Sequence, residues 1–267
     1  MESNITVLNF DQTYYKQDFS QKDTYEWLDL ESIPNANLFC EKHSLVQIEN
    51  KLKKRKPSNI TMLGSGNYHY VSYLLLSEIK RPITLVLFDH HTDTLPSPSQ
   101  ELISCGSWVL ESLQNIPMLQ KVILIGIDES GKRYIPSSID DKVSIYTTSL
   151  LQQHSPKIID SLINEIPTEL VYISIDKDVL DVKDAITAWD QGRMRLRQLM
   201  GIVKRIISNK EIYGMDICGE YPVNPSNEYS RQTRVAIKKN SDANQFILQQ
   251  MKRWLGFNRN SGTYLHV

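Results

Sequence analysis

Three features are missing from this 267-residue chain, and each absence excludes a class of protein. No apolar run approaches the roughly 18 residues that a membrane-spanning helix requires, so no transmembrane segment is predicted. The formal net charge is only −1, which gives no indication of a nucleic acid or an anionic membrane as a partner. The segment Met1 to Asn4 lacks the basic and apolar regions of a signal peptide.

Cysteine is scarce as well. Cys40, Cys105 and Cys218 are odd in number and far apart, so a disulfide framework is not predicted. Reduced thiols are typical of the cytoplasm, and we expect a cytoplasmic protein. The remaining composition, 40% hydrophobic and 23% charged, is ordinary for a globular protein.

Apolar runs alternate with amphipathic segments along the whole chain. This alternation predicts a single domain, 1–267, with a mostly parallel sheet between two helical layers, a three-layer α/β/α sandwich. The predicted strands are short continuous apolar runs, as expected for strands that are buried on both faces. They cover 5–10, 59–63, 83–88, 121–127, 143–146, 170–175 and 212–217. Helices are predicted over 44–54, 69–79, 107–113, 149–165, 195–207 and 244–255.

Two acidic clusters follow two of the predicted strands. The first contains Asp89, His91 and Asp93 after the run 83–88, and the second contains Asp176 and Asp178 after the run 170–175. If the strands continue, residues at i, i+2 and i+4 point to one face and can converge. Crowded carboxylates in a low-dielectric cleft repel one another unless cations lie between them. The clusters therefore predict a site for divalent metal.

A histidine after a third strand completes the set of candidate ligands. His69 ends the glycine-rich segment that begins at Gly64, directly after the predicted strand 59–63. Four carboxylates and two imidazoles fit two divalent ions better than one, and no cysteine belongs to the clusters, so structural zinc is not predicted. The glycines also suggest a dinucleotide loop, but His69 replaces the third glycine and no phosphate-binding lysine follows.

These three segments resemble the motifs of the arginase–agmatinase–formimidoylglutamase family, the ureohydrolases, whose fold is shared with histone deacetylases. The segment DHHTD at 89–93 resembles the family's aspartate–alanine–histidine–any–aspartate motif. SIDKDVLD at 174–181 is similar to its serine–any–aspartate–any–aspartate motif, and GSGNYH at 64–69 resembles its glycine-rich segment that ends in a metal-binding histidine. Their order and spacing match over roughly residues 60 to 182.

The resemblance implies an arginase-like fold, a site for two divalent metal ions, most often Mn²⁺, and a possible homo-oligomer. It also implies a hydrolase that cleaves a non-peptide C–N bond of a small guanidino, amidino or amide compound, through attack by a hydroxide between the metals. By carry-over, Asp89 and Asp176 bridge the ions and serve catalysis. The remaining ligands are His69 and Asp93 for one ion, and His91 and Asp178 for the other.

The chain departs from the family around this metal site. Cys105 occupies the position of a histidine that is thought to shuttle protons, so we expect it near the leaving group. Gly219 aligns with the family's substrate-binding glutamate, and Glu220 follows one place later. Glu220 or Asp190 is a candidate for orienting a cationic nitrogen. Trp108 and Trp189 are further candidates for the substrate pocket, since they lie in the loops that differ.

Two alternative functions stay open at this point. Because the histidine is lost and the glutamate displaced, the chain could be a non-catalytic metal-binding or sensor protein on the same fold. It could also be a single-metal amidohydrolase of the deacetylase type. His69 and Asp93, which a single-metal site does not need, favour the two-metal enzyme.

Overall fold

The computed structural model describes residues 5–22, 25–152 and 156–256. Eight parallel strands form the central sheet, in the order β2-β1-β4-β10-β9-β5-β7-β8, and β3 and β6 form a separate antiparallel ribbon. The strands are β1 (Ile5–Asn9), β2 (Glu26–Asp29), β3 (Phe39–Glu41), β4 (Ile60–Met62), β5 (Ile83–Phe88), β6 (Leu102–Ser104), β7 (Leu119–Ile125), β8 (Val143–Tyr146), β9 (Leu170–Asp176) and β10 (Glu211–Cys218).

Helices cover both faces of the sheet, so the predicted three-layer α/β architecture is confirmed. They are α1 (Asp18–Lys22), α2 (Lys42–Leu52), α3 (Val71–Ser77), α4 (Trp108–Asn115), α5 (Thr148–Leu151), α6 (Pro156–Asn164), α7 (Leu196–Ile207) and α8 (Arg231–Leu255). No helix within the described ranges is long and apolar enough to cross a membrane.

The central strand β5 is apolar throughout because its side chains are buried on both faces of the sheet. Val86 and Phe88 pack into the core beneath α6, α7 and α8, and Leu85 and Leu87 pack into the core beneath α2, α3 and α4. Successive side chains of a strand alternate between the two faces of the sheet, and here both faces are covered. Burial of each large side chain stabilises the fold by about 1.5–3 kcal/mol.

Several elements differ from the sequence-based prediction. The helix predicted over 149–165 is two helices, α5 and α6, and the residues between them include 153–155, which lie outside the described part of the chain. The last helix begins at Arg231 rather than 244, because Ser230 accepts a hydrogen bond from the Thr233 amide at 3.0 Å and caps its first turn. The strands β2, β3 and β6 were not predicted, since they are short and carry polar residues.

Parallel strands bring the candidate ligands to one edge of the sheet. The loops after β4, β5 and β9 all leave the sheet at its carboxyl-terminal edge, where α/β proteins bind their ligands. β5 and β9 are direct neighbours, with Phe88 paired to Ile175, so the two acidic clusters begin side by side.

Gly126 lets the neighbouring strand β7 end close beneath these loops. Its φ is +104°, and a Cβ atom here would overlap with the Val179 side chain and lie 3.2 Å from the Asp89 carbonyl oxygen. A residue with a side chain would therefore be strained at Gly126 and would displace the turn that carries Asp89.

We predict that Gly126→Ala lowers the free energy of unfolding by about 2–4 kcal/mol, because it combines an unfavourable φ with overpacking. The matched control is Gly201→Ala in α7, where a Cβ meets no atom within 4 Å. That change should raise stability by about 0.5–1 kcal/mol. Urea denaturation of both variants measures the difference, and similar stabilities would contradict this account of Gly126.

Candidate metal centre

The candidate ligands of the first cluster lie in a loop and not on a continued strand. β5 ends at Phe88, and the chain turns so sharply that Asp93 has a φ of +52°. The Asp89 carboxylate accepts a hydrogen bond from the His91 amide at 2.6 Å, which fixes this turn. Asp89, His91 and Asp93 therefore converge, as predicted, but through loop geometry in place of strand alternation.

A similar turn follows β9. Residues Lys177–Val179 form one turn of 3-10 helix, and Asp176 accepts a hydrogen bond from the Asp178 amide at 2.9 Å. Asp178 is then tied to the first cluster, because it accepts a hydrogen bond from the His90 amide at 3.0 Å. All four aspartates, at positions 89, 93, 176 and 178, are buried.

His69 presents one ring nitrogen to three of these carboxylates. Its Nδ1 lies 3.3 Å from Asp89, 3.3 Å from Asp93 and 3.6 Å from Asp176. Its other nitrogen, Nε2, is 2.8 Å from the Ser174 hydroxyl, which donates to Asp216 at 2.6 Å. Because Ser174 uses its proton on Asp216, Nε2 is the nitrogen that carries hydrogen, and the Nδ1 lone pair faces the acids.

His91 repeats this arrangement on the other side of Asp89. Its Nδ1 lies 2.9 Å from Asp178 and 3.6 Å from Asp89, and its Nε2 lies 3.0 Å from Asp190. The Asp190 carboxylate can only accept, so it favours hydrogen on Nε2 and leaves Nδ1 available as a ligand. An outer acceptor that holds the second nitrogen is the usual support of a metal-binding histidine.

The pKa shifts within the cluster show that added positive charge stabilises its carboxylates. Burial, the charge of Asp176 and that of Asp89 raise the pKa of Asp178 well above its ordinary value. Burial and the charge of Asp89 raise the pKa of Asp93 to about 6. Burial acts to lower the pKa of His91, but the Asp178 and Asp89 carboxylates hold it above its usual range. Protons on these groups substitute for the cations that the carboxylates require.

The donor set fits two divalent ions. His69, Asp89 and Asp93 form one triplet whose ligand atoms lie within 4.8 Å of one another, and Asp89, His91 and Asp178 form a second triplet. His69, Asp176 and Cys218 form a third, so one cysteine does border the clusters, contrary to the sequence-based prediction. Asp89 belongs to the first two triplets, and its buried Oδ2 accepts no hydrogen bond. Carboxylate oxygen and imidazole nitrogen are ligands of Mn²⁺ and similar ions. A buried carboxylate oxygen that accepts no hydrogen bond and lies beside the His69 ring is suited to coordinate a cation.

Trp108 supports the centre and does not line the pocket. Its side chain is completely buried, and its Nε1 donates to Asp93 at 2.6 Å. The indole also packs beside the His69 ring, with 4.7 Å between the ring centroids. Trp108 therefore positions two candidate ligands, a role that its place in the sequence did not reveal.

Cys105 lines the same cavity as the buried carboxylates. Burial and the negative charge of Asp93 raise the pKa of its thiol, so the thiol stays protonated at neutral pH. A neutral thiol with a high pKa does not exchange protons readily near pH 7. Cys105 is therefore a protonated thiol on the cavity wall.

Glu220 is not on the cavity wall. It is buried beneath the second cluster, in contact with the Lys177 ammonium, with Gln17 at 2.7 Å and with Asn244 at 2.7 Å. Gly219, with a φ of +85°, makes the turn that sends Glu220 inward, and a Cβ there would overlap with Asp176. The strand β10 ends at Cys218, so no bulge redirects Glu220 to the pocket.

Trp189 and Asp190 both line the cavity, as predicted. Trp189 meets the His91 ring edge to face at 5.8 Å, and its Nε1 donates to Asn67 at 3.0 Å. The loop that contains Trp189 and Asp190 therefore forms part of the cavity wall. The cavity has a volume of about 670 Å³, within the usual range for a small-molecule site.

Other cavity residues were missed by the sequence analysis. Phe39 stands on the unpredicted strand β3, and Leu38, Leu95 and Asp128 stand in loops. Tyr134 is the last residue of a 3-10 helix, Glu129–Tyr134. Single apolar or acidic residues in loops have no periodicity to mark them, so only the tertiary structure brings them to the site.

Comparison with known proteins gives the same family as the motifs. A protein from Thermotoga maritima with no assigned function is 34% identical over 221 residues, which cover 81% of this chain and 80% of that protein. The agmatinase of Chromobacterium violaceum is 28% identical over 189 residues, or 67% of this chain and 55% of the agmatinase. The chain thus spans little more than half the length of that second relative.

The fold has solved counterparts. The crystal structure of the arginase from Bacillus caldovelox superimposes with a TM-score of 0.58 at 17% identity, over 92% of this chain and 98% of the arginase. The sequence model of the Arginase family matches residues 4–240. Fold, motif order and sequence similarity lead to one conclusion: the chain belongs to the arginase family.

Proposed function

We propose that this protein is a binuclear metal-dependent hydrolase that cleaves a non-peptide C–N bond of a small guanidino, amidino or amide compound. The observation that carries the proposal is the pair of histidines on either side of Asp89, of which His69 is buried and His91 is half-buried. Each directs Nδ1 at carboxylates and gives Nε2 to an outer acceptor, Ser174 for His69 and Asp190 for His91. The membership of the family and its resemblance to enzymes such as agmatinase support the reaction class.

In this proposal, six side chains hold the two ions, most often Mn²⁺ in this family. His69, Asp89, Asp93 and Asp176 hold one ion, and Asp89, His91, Asp176 and Asp178 hold the other. When bound, such ions polarise the substrate and lower the pKa of a bound water, which supplies the nucleophile.

The protein's own groups hold and orient these reactants. Trp108 fixes Asp93, and the Ser174–Asp216 pair fixes the tautomer of His69. Asp190 holds His91 and borders the cavity, so its carboxylate can also accept an N–H hydrogen bond from a cationic substrate. Trp189 covers the His91 edge of the cavity and limits the access of water.

A metal-binding protein without turnover is the second candidate function. The observation in its favour is Cys105, whose neutral thiol replaces the proton-shuttling histidine. A single-metal amidohydrolase has less support, because a one-metal site needs a single set of ligands. Here two ligand triplets lie side by side and share Asp89.

We predict turnover by the manganese-loaded protein in a screen of guanidino, amidino and amide compounds, with released urea or ammonia as the readout. Asp176→Ala should lower the rate by at least about 100-fold, since it removes a shared ligand. The matched control is Asp181→Ala in the same motif, because Asp181 belongs to none of the ligand triplets and does not line the cavity. Its turnover should stay within about threefold of the unmodified protein, as for changes outside a catalytic site.

Metal analysis of the same preparations separates the candidates. Two ions per chain together with turnover support the hydrolase. Two ions with no turnover of any compound would favour the binding protein, and only trace metal would contradict both.

The buried Lys177–Glu220 pair yields a further prediction. Both side chains are completely buried, so Glu220→Gln leaves an uncompensated ammonium and should destabilise the fold by about 3–5 kcal/mol. The KM of any substrate should change less than about threefold, because Glu220 does not line the cavity.

The control for this prediction is Asp242→Asn, which breaks the exposed pair with Lys238. Its effect should stay below about 1 kcal/mol, the usual limit for exposed pairs. Thermal or urea unfolding gives the stabilities, and steady-state kinetics gives KM. A large rise in KM for Glu220→Gln at unchanged stability would show that Glu220 binds substrate.

A further inference from the structure

The mouth of the cavity collects large apolar side chains that are exposed to solvent. Phe39, Leu95, Tyr134 and Trp189 are 43%, 48%, 44% and 38% exposed, and all four line the cavity. They come from four separate segments of the chain, so their proximity is a property of the tertiary structure alone. Exposed apolar groups that cluster at a cavity mark a surface that is covered by a ligand.

Apart from its histidines, the cavity wall has carboxylates as its charged side chains. Beyond the four buried carboxylates, Asp128 and Asp190 border the cavity. In the ranges that the structure describes, the wall contains no lysine or arginine. A ligand with a carboxylate at its outer end would meet two like charges and would find no cation on the wall to replace its hydration.

Arg133 is a cation beside this mouth, because it directly precedes Tyr134 and contacts the Tyr134 side chain. Its guanidinium stacks over the Tyr134 ring at 4.8 Å from the centroid and donates to the Tyr134 hydroxyl at 2.7 Å. Arg133 is thus engaged with a mouth residue and does not itself line the cavity.

Hydrogen bonds between the loops hold the mouth in place. The Leu95 amide donates to the Gly106 carbonyl at 3.0 Å, and the Thr94 hydroxyl donates to the Tyr134 carbonyl at 2.9 Å. Trp189 is fixed by its bond to Asn67. A mouth with fixed loops binds without a large ordering penalty, so its composition can determine which ligand is selected.

We propose that the substrate carries its scissile C–N group on a chain that ends in an apolar group and not in a carboxylate. This inference rests on the proposed function, because the cavity leads from the mouth to the candidate metal ligands. The reacting group would lie beside the buried carboxylates, and the apolar end would cover Phe39, Leu95, Tyr134 and Trp189. The mouth thus selects against substrates of the amino-acid type.

Three guanidines of matched length test the proposal. 4-Methylpentylguanidine has an apolar end, 4-guanidinobutanoate has a carboxylate of the same shape, and 4-aminobutylguanidine has an ammonium. Stopped-flow tryptophan fluorescence on the manganese-loaded protein records binding within milliseconds, before turnover. We expect the apolar compound to bind at least about tenfold tighter than the carboxylate, as burial of its end group predicts.

Variants of the mouth residues test whether their apolar side chains determine the preference for the apolar compound. Tyr134→Ala should remove most of the preference for the apolar compound, and Leu95→Arg should raise the affinity for the carboxylate about tenfold. Tyr213→Ala is the matched control, since Tyr213 is 43% exposed but lies outside the cavity wall. Arg133→Ala should leave the affinity for the carboxylate unchanged.

The proposal would be overturned if the carboxylate compound bound as tightly as the apolar compound, or more tightly. It would also be overturned if Arg133→Ala abolished binding of the carboxylate compound. Tightest binding of the ammonium compound would overturn it too, because acids would then dominate the mouth. Urea release from the same compounds is measured in parallel. If the apolar compound binds tightest but no compound releases urea, hydrolysis of these guanidines is excluded while the selectivity of the mouth stands. The screen of amidino and amide compounds then decides whether the protein is a hydrolase.

Discussion

The repulsion among four buried carboxylates is the constraint on which this end of the molecule depends. Asp89, Asp93, Asp176 and Asp178 lie in a dry pocket where unit charges a few ångströms apart interact strongly. No lysine or arginine reaches them within the described ranges, since the Lys177 ammonium is directed at Glu220 instead. Positive charge must come from the two histidines as protons or from bound cations, and Asp89 belongs to both of the ligand triplets that contain a pair of aspartates.

Unusual backbone conformations and a buried ion pair keep these carboxylates in position. Asp93 needs a left-handed backbone, and Gly219 needs a turn that only glycine adopts easily. Beneath the clusters, a fully buried lysine and glutamate neutralise each other and hold the segment that carries Asp176 and Asp178. Local strain and buried polar groups of this kind are more common at functional sites than elsewhere.

The sequence predicts the layers of the fold and the six candidate ligands better than it predicts their surroundings. Continuous apolar runs such as Ile83–Phe88 predict buried parallel strands, and the acids after them predict a site at the sheet edge. Glu220 shows the limit, because its direction depends on the φ of Gly219 and on the pairing with Lys177, which no local pattern reveals. The cavity mouth is equally hidden, since Phe39, Leu95 and Tyr134 come together only in the folded chain.

The central claim is that the two histidines and the shared Asp89 bind a pair of metal ions. Anomalous diffraction from a crystal grown with Mn²⁺, recorded on both sides of the manganese absorption edge, tests it most directly. The account predicts two anomalous peaks per chain, one beside His69 Nδ1 and one beside His91 Nδ1, with Asp89 between them. A single peak, or manganese bound anywhere other than among these carboxylates, would contradict it.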